Sequence, residues 1–315
     1  MIISVLVATY KRPDFLVKCL QALAGQARLP DEVIVIVREE DRETLKRLQE
    51  LDNPVLNSNL FKVATVSAPG IVHAENRGLE LARGEIVALI DDDAIALVDW
   101  LQRIEHHYLD PQVGAVGGPT IPYIEGKPVL EMTRERCLSK TWYGRHHGNS
   151  EKIPDALREV HVLRGCNMSF RKSLAQAQFD QRLKPYWRRF EDDMILPIHR
   201  QRYKVLYDPQ VQVYHHTAPV KGVLTRDRDQ DTIFGSHHNN TYVMLKHSGG
   251  FQKIAFLCFT FLIGDATNPG MAALIAKGIF RKQFFQSFQE LTWALRGKIS
   301  GIQSYRDWLR ERQNA

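Results

Sequence analysis

Hydrophobic positions in the first ninety residues fall into short unbroken runs separated by amphipathic stretches. Ile2–Ala8, Glu32–Val37, Phe61–Val66 and Glu85–Ile90 are strand-length runs rich in Val and Ile. That is the pattern of strands buried on both faces of a parallel sheet. Between them, Pro13–Gly25 sets Phe15, Leu16, Cys19, Leu20 and Leu23 on one helical stripe. Its proline sits in the first turn and its glycine at the stop. Asp41–Leu51 and His73–Arg83 carry similar helical patterns. Strand–helix–strand alternation predicts a right-handed, doubly wound α/β layer. Ligands of such a layer bind outside the carboxyl ends of its strands.

Beyond residue 110 the pattern is mixed. Val113–Gly118, Val160–Leu163, Met168–Phe170, Tyr203–Tyr207 and Val211–Tyr214 read as strands, a helix is expected over Ala96–Tyr108, and Glu125–Ser150 reads as a polar, aromatic-dotted loop or lid. The character changes again near Lys221, where Arg and Asp alternate from Arg226 to Asp229. The division expected is a catalytic domain over residues 1–220 and a helical region over 221–315. Two apolar stretches stand out there, Ile254–Gly264 and Met271–Phe280, edged by Arg281, Lys282, Phe284, Phe285 and Trp293. Each is too short to span a bilayer, which takes roughly 20 apolar residues. Two readings fit them: an interfacial membrane contact and a buried helical hairpin.

Composition narrows the class. At 44% hydrophobic and 25% charged, the 315-residue chain is an ordinary globular sequence, not a disordered tail, a collagen-like repeat or a polytopic membrane protein. The four cysteines (Cys19, Cys137, Cys166, Cys258) form no Cys-x-x-Cys pair, which suits a reducing compartment. The N-terminus lacks the basic-then-apolar order of a signal peptide, and a cytoplasmic protein is expected. The net charge of +6 is uneven: residues 221–315 hold 13 basic and 7 acidic side chains, whereas residues 1–220 balance at 29 each. A basic region can serve an anionic membrane or an acidic ligand. Nucleic acid is not expected, because it would want basic residues interleaved with exposed aromatics along a groove.

The sharpest chemical feature is Asp91-Asp92-Asp93, directly after an apolar strand. Three adjacent carboxylates repel one another, and a hard divalent cation, Mn²⁺ or Mg²⁺, would neutralise them and bridge to phosphate. The alternative is that one Asp caps the next helix and the others are solvated. A second acidic cluster, Glu191-Asp192-Asp193, follows Trp187, Arg188, Arg189 and Phe190. A carboxylate so placed can act as a general base, or simply enrich a helix N-terminus in acid. His215-His216 closes a predicted strand, and an imidazole there could complete a cation's ligand set. The first strand ends in Ala8-Thr9-Tyr10-Lys11-Arg12-Pro13, a plausible phosphate cradle. There is no Gly-x-Gly-x-x-Gly after it and no P-loop, which argues against a dinucleotide oxidoreductase and a P-loop NTPase.

In order, Ile3–Pro13, Gly70…Ala74-Glu-Asn-Arg-Gly78, Ala82–Asp93, Gly165-Cys-Asn-Met-Ser-Phe170, Phe190-Glu-Asp192 and Tyr207-Asp-Pro…Val213-Tyr-His215 resemble the inverting family 2 glycosyltransferases of GT-A fold. The resemblance spans about residues 1–216. It implies a mostly parallel, Rossmann-like sheet flanked by helices, with a helical C-terminal appendage. It also implies transfer of a sugar from a nucleoside diphosphate donor to a hydroxyl of a glycan or lipid-linked acceptor. Thr9, Tyr10, Arg12, Asn76, Arg77, Asp91, Asp92 and Asn167 would bind the nucleotide sugar. Asp93, Asp91 and His215 would hold the Mn²⁺ or Mg²⁺. Asp192 would be the base, with Glu191 second. Two departures stand out: Val37 leads into Arg38-Glu39-Glu40-Asp41, so nucleobase recognition falls to Glu39 or Asp41, and Pro197 interrupts the spacing after the acidic cluster. The expected site is the inner face of a cell membrane. The other readings are a sugar-phosphate nucleotidyltransferase and a non-catalytic nucleotide-sugar-binding protein.

Overall fold

A computed structural model describes residues 1–51, 60–185, 189–216, 229–265, 267–280 and 284–314. Trp187, Arg188, Lys221, Arg226, Arg281 and Lys282, singled out in the sequence, lie outside them. The first half runs β1 (Ile3–Thr9), α1 (Pro13–Ala24), β2 (Glu32–Arg38), α2 (Arg42–Gln49), β3 (Phe61–Val66), α3 (Ile71–Leu81), β4 (Ile86–Ile90), β5 (Ala94–Ala96), α4 (Trp100–His107), β6 (Val113–Gly117) and β7 (Thr120–Ile124). Six two-residue strands follow: β8 (Lys127–Pro128), β9 (Met132–Thr133), β10 (Ser139–Lys140), β11 (His146–His147), β12 (Ile153–Pro154) and β13 (Arg158–Glu159). Then come β14 (Asn167–Arg171), α5 (Phe190–Arg200), β15 (Lys204–Tyr207), β16 (Val213–His215), α6 (Gln230–His247), α7 (Gly250–Leu262), α8 (Met271–Phe280) and α9 (Phe284–Asn314).

The chain divides into two compact units: Met1–Ser139, His147–Phe179 and Met194–Pro219 make the first, and Lys140–His146, Asp180–Asp193 and Val220–Ala315 the second. The first unit holds an eight-stranded sheet in the order β13-β15-β6-β14-β4-β1-β2-β3. β1 is parallel to both β2 and β4, and β2 to β3. β14 inserts antiparallel between β4 and β6. The Val- and Ile-rich runs form the middle of this sheet because helices cover it: Leu16, Cys19, Leu20 and Leu23 of α1 join Val5, Val7, Val35, Ala88 and Ile90 in one buried cluster. On α3, Gly78 leaves room for the sheet, since a Cβ there would come within 2.9 Å of Leu6 and Ile36. A smaller sheet, β5-β16-β7-β8, sits beyond the end of β4, with β16 antiparallel to β5 and parallel to β7.

Three expectations are corrected. Val160–Leu163 is not a strand. The helix after the acidic triplet starts at Trp100, because Ala94–Ala96 pairs with β16 as a strand first. Residues 125–150 include four short strands, β8 to β11, and are not one long loop.

The second unit is helical. α6 packs along α9, and α8 against α9. Its buried charges are paired: Lys277 holds Glu290 at 2.7 Å, and Lys298 donates to the carbonyls of Thr260 and Pro269. α7 and α8 bury one side, with Phe256, Thr260 and Leu274 inside, and expose the other, where Phe251, Ile254, Ile275 and Ile279 are all more than half exposed. No helix among the described residues is long and apolar enough to cross a membrane.

Candidate active site

The first unit gathers its chemistry at the carboxyl end of β4. Asp91, Asp92 and Asp93 form the turn from β4 into β5, and the Asp91 carbonyl accepts from Ala94 N–H. None of the three caps α4; Asp99 takes the N-cap position. Asp92 is 3% exposed. It accepts from Thr9 Oγ1 at 2.6 Å and from Arg12 Nη1 at 3.0 Å. The same Arg12 nitrogen donates to Asp93 Oδ2 at 3.0 Å. His215 Nε2 stands 3.1 Å from Asp93 Oδ1, and the next residue's backbone N–H, His216, donates to the Asp93 carbonyl. Thr9 and Arg12 reach the triplet because β1 lies beside β4 and both end at the same edge.

Burial dominates the electrostatics. It pushes Asp92 up to about 7 against the pull of the Arg12 guanidinium. It also raises Asp91, helped by the neighbouring Asp93 charge. Arg12 is thus the fixed cation that makes a buried double carboxylate tolerable. The loop that carries it is strained, with Lys11 at φ +55°. Asp41 holds that turn, accepting from the Lys11 N–H at 2.5 Å and capping α2 through Thr44 N–H.

The residues fit a divalent cation. One donor atom each from Asp91, Cys166 and His215 lies within 4.8 Å of the others. Glu75 on α3 is 4% exposed, and its Oε2 has no hydrogen-bond partner among the described residues. Burial and the charge of Asp91 push Glu75 up to about 8. A buried carboxylate oxygen left unpaired is the kind of group a cation satisfies.

Other residues singled out in the sequence sit differently. Asn167 donates through Nδ2 to the carbonyls of Pro119 and Val211 and accepts from Trp100 Nε1, so both its amide protons are spent on the fold. Asn76 makes a reciprocal pair with the backbone of Phe179. Arg77 pairs with Glu80 on the helix surface. Glu39 is exposed. Two cations lie over the ring of Tyr10, Lys11 Nζ at 5.0 Å and Arg38 at 5.7 Å from its centre. Cys166 and Glu75 stood inside quoted motifs without a role; only strand register and burial mark them.

The second unit holds Glu191, Asp192 and Asp193 in the first turn of α5, where the helix dipole favours negative charge. Pro197 sits inside this helix, which runs on to Arg200. All three acids are buried. Asp192 Oδ2 accepts from Arg189 Nη1 at 2.7 Å and lies 3.7 Å from His146 Nδ1. Arg189 adopts φ +75°, a conformation costly to a non-glycine residue and held by its surroundings. Asp193 is locked between Lys246 Nζ at 2.9 Å and His247 Nε2 at 2.7 Å. Lys246 also reaches Asp180 at 2.8 Å. Asp180, which further accepts from the Tyr242 hydroxyl, is held at about 2, chiefly by Lys246 working against burial.

Comparison with known proteins agrees with this layout. The family model described as glycosyl transferase family 2 matches residues 4–179. A curated relative, the glucosyl-dolichyl phosphate glucuronosyltransferase of Haloferax volcanii, is 27% identical over 180 residues, covering 55% of this chain and 53% of that protein. The match therefore spans about half the length of that relative. Among solved structures, the mannosyltransferase PcManGT from Pyrobaculum calidifontis, in complex with GDP-Man and Mn²⁺, has a TM-score of 0.53 at 15% identity, covering 95% of this chain and 86% of that one. S. aureus TarS 1–349 in complex with UDP-GlcNAc has a TM-score of 0.55 at 14% identity, covering 97% and 90%. At such identities the likeness is one of fold, and it meets the expectation of a GT-A layer.

Proposed function

The chain belongs to glycosyl transferase family 2, and from that premise we propose that it moves a sugar from a nucleoside diphosphate donor to a hydroxyl acceptor with inversion. The observation that carries this reading is the cluster at the end of β4, where Asp91, Asp93 and His215 converge beside Arg12. Those three side chains would hold Mn²⁺ or Mg²⁺, which supplies positive charge for the departing nucleoside diphosphate. Arg12 adds a second, permanent positive charge at the same edge. Thr9 and Arg12 fix the Asp92 carboxylate, so the loop facing the donor is set before it arrives. The GDP-Man and UDP-GlcNAc complexes of the fold relatives support a nucleotide sugar as donor.

Asp192 is the base. The acceptor oxygen bonds to the anomeric carbon, the bond from that carbon to the diphosphate oxygen breaks, and the hydroxyl proton passes to Asp192. Arg189 holds this carboxylate in place until then. Asp193, locked by Lys246 and His247, anchors the turn. Glu191 is the second choice for base. A thermal-shift screen of nucleoside diphosphate sugars with and without Mn²⁺ tests the donor reading. A donor that shifts the midpoint only with the cation supports it, and no shift with any donor refutes it.

The acceptor proposed is lipid-linked or a growing glycan at a membrane surface. The name of the Haloferax relative, a dolichyl phosphate glycosyltransferase, supports a lipid carrier. So do the exposed apolar side chains of the C-terminal helices, Phe285 and Phe288 at 77% and 68% among them, within a net basic region.

A further inference from the structure

We propose that Cys166 is a further protein ligand of the cation site, beside Asp91, Asp93 and His215, giving it a mixed oxygen, sulfur and nitrogen donor set and a preference for thiophilic divalent ions over Mg²⁺. This rests on the cation reading above and goes beyond it, because an all-oxygen set with one imidazole would carry no such preference.

Register puts the thiol there. β14 runs antiparallel to β4 with Asn167 opposite Ile90. One further step along that pairing sets Cys166 opposite Asp91. On the other side, β16 pairs with β5 so that His215 is opposite Ala94. Three strand ends thus deliver one donor each, and the Asp91, Cys166 and His215 donor atoms fall within 4.8 Å of one another. Cys166 also packs, half-buried, against the apolar core, so the thiol is held at this spot by the fold. Cys19 is the contrast: it is fully buried in that core on α1 and belongs to no such donor group. A thiol serving packing alone needs no carboxylate and imidazole at ligand spacing. Glu75 Oε2, buried on α3, has no hydrogen-bond partner among the described residues.

When the ion binds, sulfur gives up its proton to solvent and donates its electron pair to the metal. The test uses the full chain with Cys258→Ser, which removes the exposed thiol, and Co²⁺ as the probe. The expected result is a sulfur-to-cobalt charge-transfer band in the near ultraviolet at one equivalent. Cys166→Ser should abolish it. In the same variant, Cd²⁺ affinity should fall at least ~10-fold while Mg²⁺ affinity changes by less than about twofold. A measurement needing no Cys166 variant accompanies it: Cd²⁺ should slow alkylation of Cys166 by iodoacetamide, read by peptide mass spectrometry. If Mn²⁺ binds and depends on Asp91 and His215, but the cobalt band is absent or survives Cys166→Ser, the thiol ligand is overturned and the cation site stands. If Asp91→Asn and His215→Ala leave Mn²⁺ affinity unchanged, the cation reading itself fails, and this inference with it.

Discussion

Lys246→Met is the most informative structural perturbation, because it removes one ammonium from between two buried carboxylates. Lys246 is 3% exposed at its side chain, and its Nζ lies 2.8 Å from Asp180 Oδ2 and 2.9 Å from Asp193 Oδ1. Each hydrogen bond between charged groups is worth roughly 1.5–3 kcal/mol, and breaking a buried pair by deleting one partner costs about 3–5 kcal/mol. Methionine fills a similar volume, so the loss is electrostatic and not a cavity. The expected penalty is therefore about 3–5 kcal/mol at pH 7, and a fall in midpoint of roughly 10 °C. The pH dependence follows from Asp180. Its folded value, about 2, lies below the ordinary 3.8, so its contribution is complete above about pH 4 and is lost as pH falls toward 2. The penalty in Lys246→Met should accordingly shrink between pH 7 and pH 3, as Asp180, still held by Arg182 and the Tyr242 hydroxyl but lacking the ammonium, takes up a proton in the variant first. Urea denaturation followed by circular dichroism at both pH values measures it, with hydrogen exchange of the α6 amides as a local check. A penalty under about 1 kcal/mol at pH 7, or one that does not change with pH, would refute the reasoning.

Asp192→Asn should lower kcat by about 10²–10⁴-fold with donor Kd unchanged; an equal loss in donor binding would move the base elsewhere. Arg12→Ala leaves Asp92 and Asp93 without their shared guanidinium, so its thermal midpoint should fall and Mn²⁺ should restore part of the loss; a metal-independent drop would contradict the proposed cation. Phe285→Asp with Phe288→Asp should cut binding to anionic liposomes more than tenfold, since burying each ring is worth about 1.5–3 kcal/mol. Sedimentation of the variant as strong as wild type would remove those side chains from any membrane contact.

Much of the first unit was legible from the sequence. β1 to β4 and α1 to α3 follow from apolar runs that must be covered on both faces, and from punctuation such as Pro13 and Gly25. The acidic triplet stood out as well, because it follows a buried strand and ligands of such a layer bind outside the carboxyl ends of its strands. Less could be read where structure depends on distant partners. β5 forms only because β16 arrives from more than a hundred residues away. Asn76 and Asn167 have the chemistry of ligand-binding groups, but backbone carbonyls and a tryptophan claim their amides. Cys166 acquires its carboxylate and imidazole neighbours through register, which no local spacing encodes. The 31-residue α9 packs on α6 and α8, partners that its own local pattern does not announce.

Isothermal titration of a responsive nucleoside diphosphate sugar against wild type and Asp93→Asn, each with Mn²⁺ and with chelator, reaches the central claim most directly. Donor should bind wild type with Mn²⁺ and lose at least ~10-fold in affinity, about 1.4 kcal/mol, in chelator. Folded Asp93→Asn should bind weakly in both. Equal affinity in all four titrations would contradict a cation held at the end of β4.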